Sequence, residues 1–242
     1  MTALARRIAC TVEASPCGAA RMTLAGTEVL MRRSGALWIE AMGALVVADL
    51  HFEKGSSYAQ RGQMLPPYDT GETLRRLEAE VAALTPRTVV LLGDSFHDGG
   101  GEARLAPEYV ARLAAIAMGR ELVWVVGNHD ADGPAGLPGE VVDEVRLEGL
   151  TLRHEPRGGP QAGEAAGHLH PCARVTGPGR TVRRPCFVTD GQRIVLPAFG
   201  AYAGGLNIRD AAFAGLFAAP PLAVTLGPRQ AQPIGWRRLV GD

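Results

Sequence analysis

The stretch Ala44-Leu45-Val46-Val47-Ala48-Asp49-Leu50-His51 joins five consecutive apolar residues to a pair of potential metal ligands. An uninterrupted apolar run of this length is typical of a strand that is covered on both faces. It therefore predicts a buried strand over 44–50 that delivers Asp49 and His51 at its end. On an extended backbone a spacing of two places both side chains on the same side.

Two further apolar runs end in polar residues of the same kind. Residues 88–94 read as a buried strand followed by Gly-Asp, and 122–130 as a buried strand followed by Gly-Asn-His-Asp. Segments 69–84 and 107–118 carry apolar residues at the 3.6-residue period of a helix. This alternation of strands and helices predicts an α/β layered core, preceded by a short strand over 36–40.

The second half of the chain has a different pattern of predicted elements. Short strands are predicted at 141–147, 150–153, 186–189 and 193–196, with turns at 148–149 and 190–191. Loops are predicted over 56–68, which contains Pro66-Pro67, and over the glycine-rich 158–167. Because no long linker or internal repeat interrupts the chain, we expect residues 1–242 to form one domain of two packed β-sheets flanked by helices.

The charge and composition of the chain limit the classes of protein to which it can belong. The formal net charge is zero, so no overall basic field attracts nucleic acid, although a local arginine patch would suffice. No apolar run approaches 18 residues, which predicts that no helix spans a membrane. Residues 1–9 lack the apolar region of a secretory signal. The four cysteines have no C-x-x-C spacing, and we expect reduced thiols in the cytoplasm.

All six histidines lie in or beside five polar clusters, and imidazole, carboxylate and carboxamide groups are ligands for borderline divalent metals. The clusters are Asp49-Leu50-His51, Gly93-Asp94-Ser95-Phe96-His97-Asp98, Gly127-Asn128-His129-Asp130, His154 and Gly167-His168-Leu169-His170. Each alone has a plainer interpretation, such as a turn for G-N-H-D or a polar strand face for H-x-H. Together they favour two metals that share a carboxylate, an arrangement that drives phosphoester hydrolysis.

The clusters resemble the calcineurin-like metallophosphoesterase superfamily over about 44–206. Segments 49–55, 61–62, 93–97 and 196–207 are similar, more narrowly, to the bacterial ligase-associated DNA damage response endonucleases. The resemblance implies a four-layer sandwich (α/β, or α+β in some schemes) with two mixed sheets. It also implies a phosphodiesterase that acts on DNA in repair, with DNA ligase and helicase repair proteins as partners.

The resemblance further implies a set of metal ligands. Asp49, His51 and His170 would hold one metal, Asn128, His154 and His168 would hold the second, and Asp94 would bridge the two. Oxygen and imidazole donors without thiolate suit Mn, Fe or Zn. The resemblance favours Mn, with Fe or Zn as alternatives.

Five residues are candidates for catalysis or substrate binding. His129 resembles the catalytic histidine of the superfamily and would act as a general acid. Asp130 either orients that imidazole or caps a turn. His97 contacts substrate phosphate or lies behind the ligands. Lys54 and Arg61 are candidate phosphate contacts, with an exposed, solvated side chain as the alternative.

Three functions remain open at this point. The first is a two-metal phosphodiesterase, a DNA endonuclease in the narrower resemblance. The second is a phosphomonoesterase or nucleotide hydrolase on the same fold. The third is a non-catalytic scaffold, which the complete set of ligand positions disfavours. Arginines at 180–184 and 237–238 are candidate contacts for backbone phosphates, whereas no aromatic stacking motif is present.

Overall fold

The computed structural model describes residues 10–177 and 179–242. The prediction that no secretory signal is present concerns residues 1–9 and lies outside the described residues. Within the described part of the chain, no helix is long and apolar enough to cross a membrane.

Two mixed β-sheets form the centre of the molecule. The first contains β1 (Val12–Ala14), β2 (Ala20–Leu24), β3 (Thr27–Met31), β4 (Leu37–Ile39), β5 (Ala44–Ala48), β6 (Thr88–Leu92), β7 (Glu121–Val125) and β8 (Glu140–Val142), in that spatial order. Neighbours from β1 to β5 are antiparallel. Neighbours from β5 to β8 are parallel, as the predicted strand–helix alternation requires.

The second sheet is built from the rest of the chain. It contains β9 (Glu144–Leu147), β10 (Leu150–Arg153), β11 (Glu164–Ala166), β12 (Pro171–Gly177), β13 (Arg180–Thr189), β14 (Arg193–Val195), β15 (Leu206–Asn207), β16 (Leu222–Leu226) and β17 (Ala231–Gly235). Its order is β15-β12-β13-β14-β11-β10-β9, while β16 pairs with β13 and β17. The helices are α1 (Lys54–Gln60), α2 (Asp69–Leu84), α3 (Gly101–Arg104) and α4 (Pro107–Ala117), and 3-10 turns span Glu40–Met42, Ala211–Phe213 and Trp236–Arg238.

Apolar side chains divide among three layers of core. One lies between the sheets, where Val46 and Val90 share a cluster with Leu152 and Phe187. A second packs α2 and α4 on the outer face of the first sheet. The third covers the outer face of the second sheet with the 3-10 turns Ala211–Phe213 and Trp236–Arg238 and their flanking loops rather than with α-helices. The prediction of an α/β sandwich of two packed mixed sheets is confirmed.

Helix α2 follows the predicted pattern closely. Leu74, Leu77 and Val81 are buried at helical spacing, and acidic residues in the first turn complement the positive end of the helix dipole. The helix ends at Thr85, whose backbone is left-handed, immediately before Pro86.

Strands β1–β3, β12 and β15–β17 were not predicted from the sequence, and three predicted segments differ from the structure. The predicted loop over 56–68 begins as helix α1, because the carboxylate of Asp69 accepts a hydrogen bond from the N–H of Gly55 (2.9 Å) and anchors its first turn. The predicted strand over 141–147 is two strands, β8 and β9, which lie in different sheets. The predicted glycine-rich loop over 158–167 contains β11, which is completely buried between β10 and β14.

Candidate metal centre

The predicted ligands meet at one end of the sandwich. Asp49, Asp94 and Asn128 follow the carboxyl ends of three neighbouring parallel strands, β5, β6 and β7. Carboxyl ends of parallel strands lie at the same edge of a sheet, where ligands bind in open α/β folds. The second sheet contributes His154 after β10, and His168 and His170 between β11 and β12. The structure therefore brings all seven predicted ligands to one place.

Backbone hydrogen bonds join the first two ligand segments. The N–H groups of Asp49 and His51 donate to the carbonyl groups of Gly93 (3.2 Å) and Asp94 (2.9 Å). Phe52 and Phe96 then form an isolated parallel bridge. These bonds continue the pairing of β5 and β6 beyond the ends of the strands, so the two segments are held in register by the main chain.

The segment 196–207, which carried the narrower resemblance, lies along the same ligand segment. The N–H groups of Phe199 and Gly200 donate to the carbonyl groups of Ala48 (2.8 Å) and Asp49 (3.1 Å). Gly200 permits this approach, because a Cβ there would lie 2.3 Å from the carbonyl oxygen of Leu50. The segment therefore supports the ligands through backbone contacts.

The expectation that Asp49 and His51 lie on an extended strand is wrong. Strand β5 ends at Ala48, and both residues have left-handed backbone conformations. Counting these two, five of the seven predicted ligands have a left-handed backbone. Their φ angles are 54° (Asp49), 47° (His51), 46° (Asp94), 69° (His168) and 44° (His170). This conformation is uncommon outside glycine, although aspartate and histidine adopt it more readily than most residues. Sharp turns after the strands, not strand alternation, aim these side chains.

Glycines before the ligands make room for other ligands. An added Cβ would lie 2.2 Å from His154 Nδ1 at Gly93, 2.2 Å from the Asp94 nitrogen at Gly127 and 2.8 Å from Asp49 Oδ2 at Gly167. All three separations are shorter than real Cβ atoms show. The repeated glycine–ligand pattern in the sequence is therefore a packing requirement of the site.

Two groups of donor atoms face the carboxylate of Asp94. In one, His170 Nε2 lies 3.3 Å from Asp49 Oδ1 and 3.2 Å from His51 Nε2. In the other, His154 Nε2 lies 3.0 Å from Asn128 Oδ1 and 3.1 Å from His168 Nδ1. Asp94 lies between them, with Oδ1 3.3 Å from His154 Nε2 and Oδ2 4.0 Å from His51 Nε2. One carboxylate oxygen thus faces each group.

These spacings fit divalent metal ions. Four donors at 2.0–2.1 Å from a tetrahedral metal are separated from one another by about 3.3 Å, which is close to the separations within both groups. Carboxylate, carboxamide and neutral imidazole are suitable donors for Mn, Fe or Zn. Cys172 is buried beneath Gly205 and belongs to neither group, so it is a small apolar packing residue here.

Burial and neighbouring charge set the protonation of two ligands in opposite directions. Burial lowers the pKa of His51 to about 2, with further lowering from His170 and other cationic neighbours. His51 is therefore neutral, the form in which imidazole binds a metal. Burial also opposes charge on His170, but the hydrogen bond and charge of Asp49 outweigh it and raise the pKa of His170.

His129 lies beside Asp94, and its imidazole is oriented by a backbone group. Its Nδ1 lies 2.8 Å from the carbonyl oxygen of His97, and its Nε2 lies 3.9 Å from Asp94 Oδ2. Asp130 does not contact this imidazole. Its carboxylate accepts hydrogen bonds from the N–H groups of Gly127 (3.0 Å) and Phe96 (3.0 Å), and burial raises its pKa. These contacts support the capping role for Asp130 rather than the orienting role.

The other three candidates lie at the rim. The ring of His97 stacks on that of His129 with centroids 5.5 Å apart, and burial lowers the pKa of His97. Lys54 Nζ donates to the carbonyl oxygen of Tyr202 (3.0 Å) and lies over the ring of Tyr58. Arg61 is exposed at the end of α1. Sequence reasoning missed Tyr58, which contacts both Lys54 and His97, because it expected a loop there.

Comparison with known proteins identifies the family of this chain. A sequence model of the calcineurin-like phosphoesterases matches residues 42–177, more than half of the chain. The chain belongs to the calcineurin-like phosphoesterase family. This phosphoesterase is also similar to the Pseudomonas putida nuclease MPE, whose crystal structure has 31% sequence identity and a TM-score of 0.67 and covers 89% of this chain and 100% of that one. The resemblance proposed from the sequence is confirmed.

Other comparisons add little. The phosphoesterase YfcE from E. coli matches at 17% identity and a TM-score of 0.38, covering 79% of this chain and 98% of that one, which is too weak to inform function. A comparison with curated proteins returned no match. The family match and the nuclease likeness, together with the donor groups, make this chain a metal-dependent phosphoesterase.

Proposed function

We propose that this phosphoesterase is a phosphodiesterase that uses two divalent metal ions to cleave DNA internally. The observation that carries the proposal is the position of Asp94, whose two carboxylate oxygens face separate donor groups at 3.3 Å and 4.0 Å. A carboxylate placed in this way offsets the repulsion between two nearby cations.

The donor groups divide the ligands between the two metals. Asp49, His51 and His170 would hold one ion, and Asn128, His154 and His168 the other, with Asp94 shared. Bound divalent ions supply the Lewis acidity that phosphoester hydrolysis requires. The absence of thiolate among these donors suits Mn, and we propose Mn as the working metal.

His129 is proposed to act on the leaving group. A carbonyl oxygen only accepts hydrogen bonds, so the contact with His97 requires that Nδ1 of His129 carry the hydrogen. Nε2 then faces the site, and the side chain is 41% exposed, which leaves it accessible to a substrate. Uptake of a second proton at Nε2 makes His129 an imidazolium, which can then transfer this proton to the departing oxygen. Such a general acid contributes roughly 10²–10⁴-fold to rate.

Contacts to DNA are proposed for a group of unpartnered arginines. Arg180 and Arg184 lie on the exposed half of β13, and among the described residues neither makes a side-chain hydrogen bond or ion pair. A bridge between Val175 and Leu239 brings the exposed pair Arg237-Arg238 to the same part of the second sheet. The similar protein of Pseudomonas putida is described as a nuclease, which supports a nucleic acid as the substrate, and the sequence resemblance favours DNA.

A substrate panel tests the reaction class. Protein purified without chelator would be assayed on a bis-aryl phosphate, an aryl monophosphate and covalently closed circular DNA, with elemental analysis of bound metal. We expect cleavage of the diester and of DNA, which chelation abolishes and Mn restores. Elemental analysis should give about two ions per chain, and activity on the monophosphate should be weak. Strong preference for the monoester would instead establish the phosphomonoesterase alternative.

Charge reversal tests the DNA surface. Arg183 is a poor choice, because its Nη2 donates to the carbonyl oxygen of Gly205 (2.6 Å) and its loss would disturb the site. Arg180→Glu with Arg184→Glu should weaken DNA cleavage and spare the small diester, since backbone phosphates contribute affinity through such charges. Arg87→Glu with Arg229→Glu is the control, because these exposed arginines likewise make no side-chain hydrogen bond or ion pair among the described residues. Equal loss on both substrates would refute the contact.

Cellular context is proposed from the sequence resemblance alone. We propose a cytoplasmic enzyme that works with DNA ligase and helicase repair proteins. Recovery of the tagged protein from cells before and after DNA damage, with a ligand-deficient Asp94→Asn variant as control, would test this association. Failure to recover a ligase or helicase under either condition would contradict it.

A further inference from the structure

The imidazole of His129 depends on one peptide group for its orientation. The carbonyl oxygen of His97 is 2.8 Å from Nδ1, and the carboxylate of Asp130 is engaged by backbone amides instead. The position of the 97–98 peptide therefore decides which nitrogen of His129 carries hydrogen and where Nε2 points.

Contacts on both sides hold this peptide. Before it, the N–H of His97 donates to the carbonyl oxygen of Phe52 (3.0 Å). After it, both carboxylate oxygens of Asp98 accept from Arg104 Nη2 at 2.8 Å, and Oδ1 also accepts from the N–H of Gly100 (2.9 Å). The Arg104 side chain also donates from Nε to the hydroxyl of Ser56 (2.9 Å), which ties α3 to α1.

We propose that Asp98 and Arg104 are positioning residues for His129. Neither side chain contacts the imidazole or the donor groups. They fix the carbonyl group of His97, and this carbonyl holds the Nδ1–H tautomer with Nε2 toward Asp94. The proposal rests on the role of His129 proposed above. It adds that this role depends on Asp98 and Arg104, which lie outside the set of metal ligands.

The chain provides a matched control for this ion pair. Arg112 on α4 also binds both oxygens of a carboxylate, with its Nε 2.6 Å and its Nη2 2.7 Å from the oxygens of Glu78 on α2. This pair joins two helices on the outer face of the first sheet. Loss of Arg112 should therefore affect stability without affecting His129.

Two readouts test the proposal on the full-length protein. The first is the tautomer of His129, measured by long-range ¹H–¹⁵N NMR with diamagnetic Zn²⁺ bound. Wild type and Arg112→Met should show the Nδ1–H form, whereas Arg104→Met should show a mixture. Arg104→Lys, which keeps a charge on Asp98, should restore part of the wild-type signal.

The second readout is dependence on the leaving group. His129 should matter most for a diester with a poor alkyl leaving group and least for one with an activated aryl group. We expect Arg104→Met to slow the alkyl diester about tenfold, less than the roughly 10²–10⁴-fold of a complete loss of general acid catalysis because His129 itself remains. The aryl diester and bound metal should be nearly unchanged. Combined with His129→Ala, Arg104→Met should cause no further loss, because both changes remove one interaction.

The outcomes separate the two proposals. If Arg104→Met keeps the wild-type tautomer, or slows both diesters equally as a general loss of stability would, the positioning role is refuted. If His129→Ala itself shows no dependence on the leaving group, the proposed action of His129 is refuted. The NMR signal then decides the positioning role independently.

Discussion

Substitution of Gly127 by alanine tests whether close packing positions the shared carboxylate. A Cβ at this position would lie 2.2 Å from both the nitrogen and Oδ1 of Asp94, and 2.9 Å from Asp130 Oδ1. The φ angle of Gly127 is not in the left-handed region, so alanine introduces no backbone strain of its own. Any effect must therefore come from contact of the added Cβ with the carboxylates of Asp94 and Asp130 and with the backbone nitrogen of Asp94.

The size of the effect follows from these distances. Real Cβ atoms stay at least 3.0 Å from such neighbours, so Asp94 or Gly127 must move by about 0.8 Å or more. A displacement near 1 Å in a catalytic constellation lowers the rate by roughly 10²-fold. Overpacking of this kind costs about 1–3 kcal/mol, equivalent to a decrease in Tm of roughly 2–12 °C for a chain of this length.

Three measurements check this expectation. They are bound metal per chain and kcat/KM on a bis-aryl phosphate, both at a temperature where the variant is folded, and Tm by circular dichroism. Gly99→Ala is the control, because a Cβ there meets nothing within 4 Å and its φ is ordinary. A Gly127→Ala protein with full metal content and wild-type kcat/KM would refute the packing argument.

The remaining predictions concern other parts of the chain. Asp94→Asn should weaken binding of both metals and abolish turnover, as elemental analysis and a diester assay would show; retention of both ions would contradict a shared ligand. Arg193→Met removes the nearer counter-charge of buried Glu164 (Nε–Oε1 2.8 Å) and leaves only Arg153 at 3.5 Å. It should lower the free energy of unfolding by about 3 kcal/mol, measured with urea. In Gly205→Ala the added Cβ would lie 2.1 Å from Cys172 Sγ, so this variant should have lower activity and a lower Tm. Gly204→Ala, whose Cβ meets nothing within 4 Å, should change neither. Similar behaviour of both variants would contradict the close approach of Gly205 to Cys172.

Much of the fold could be predicted from local pattern. The apolar runs before Asp49, Asp94 and Asn128 form β5, β6 and β7, and the 3.6-residue periods form α2 and α4. These signals are strong because each buried element is apolar on the faces it covers. The polar residues after each run identified the edge where the ligands meet, since parallel strands end at a common edge.

Elements that depend on partners distant in sequence were missed or misjudged. The segment Lys54–Gln60 contains a glycine and two serines, which are weak helix formers, and Asp69 anchors its first turn. The chain crosses between the sheets at Asp143, and the residues on both sides of it form strands. Strand β11 is three residues long and is defined by its neighbours β10 and β14. Only tertiary pairing identifies these elements.

The geometry of the ligands has the same origin. Left-handed backbone at Asp49, His51 and Asp94 is costly for each residue alone, at about 1–2 kcal/mol, and local sequence would not select it. The hydrogen bonds that link these turns to one another and to 199–200 hold the turns in place. Such strain persists only where the surrounding structure over-determines it. Since these bonds are all between backbone groups, the donor atoms are positioned by the fold itself, and the side chains that follow Gly93, Gly127 and Gly167 converge because glycine leaves them the space.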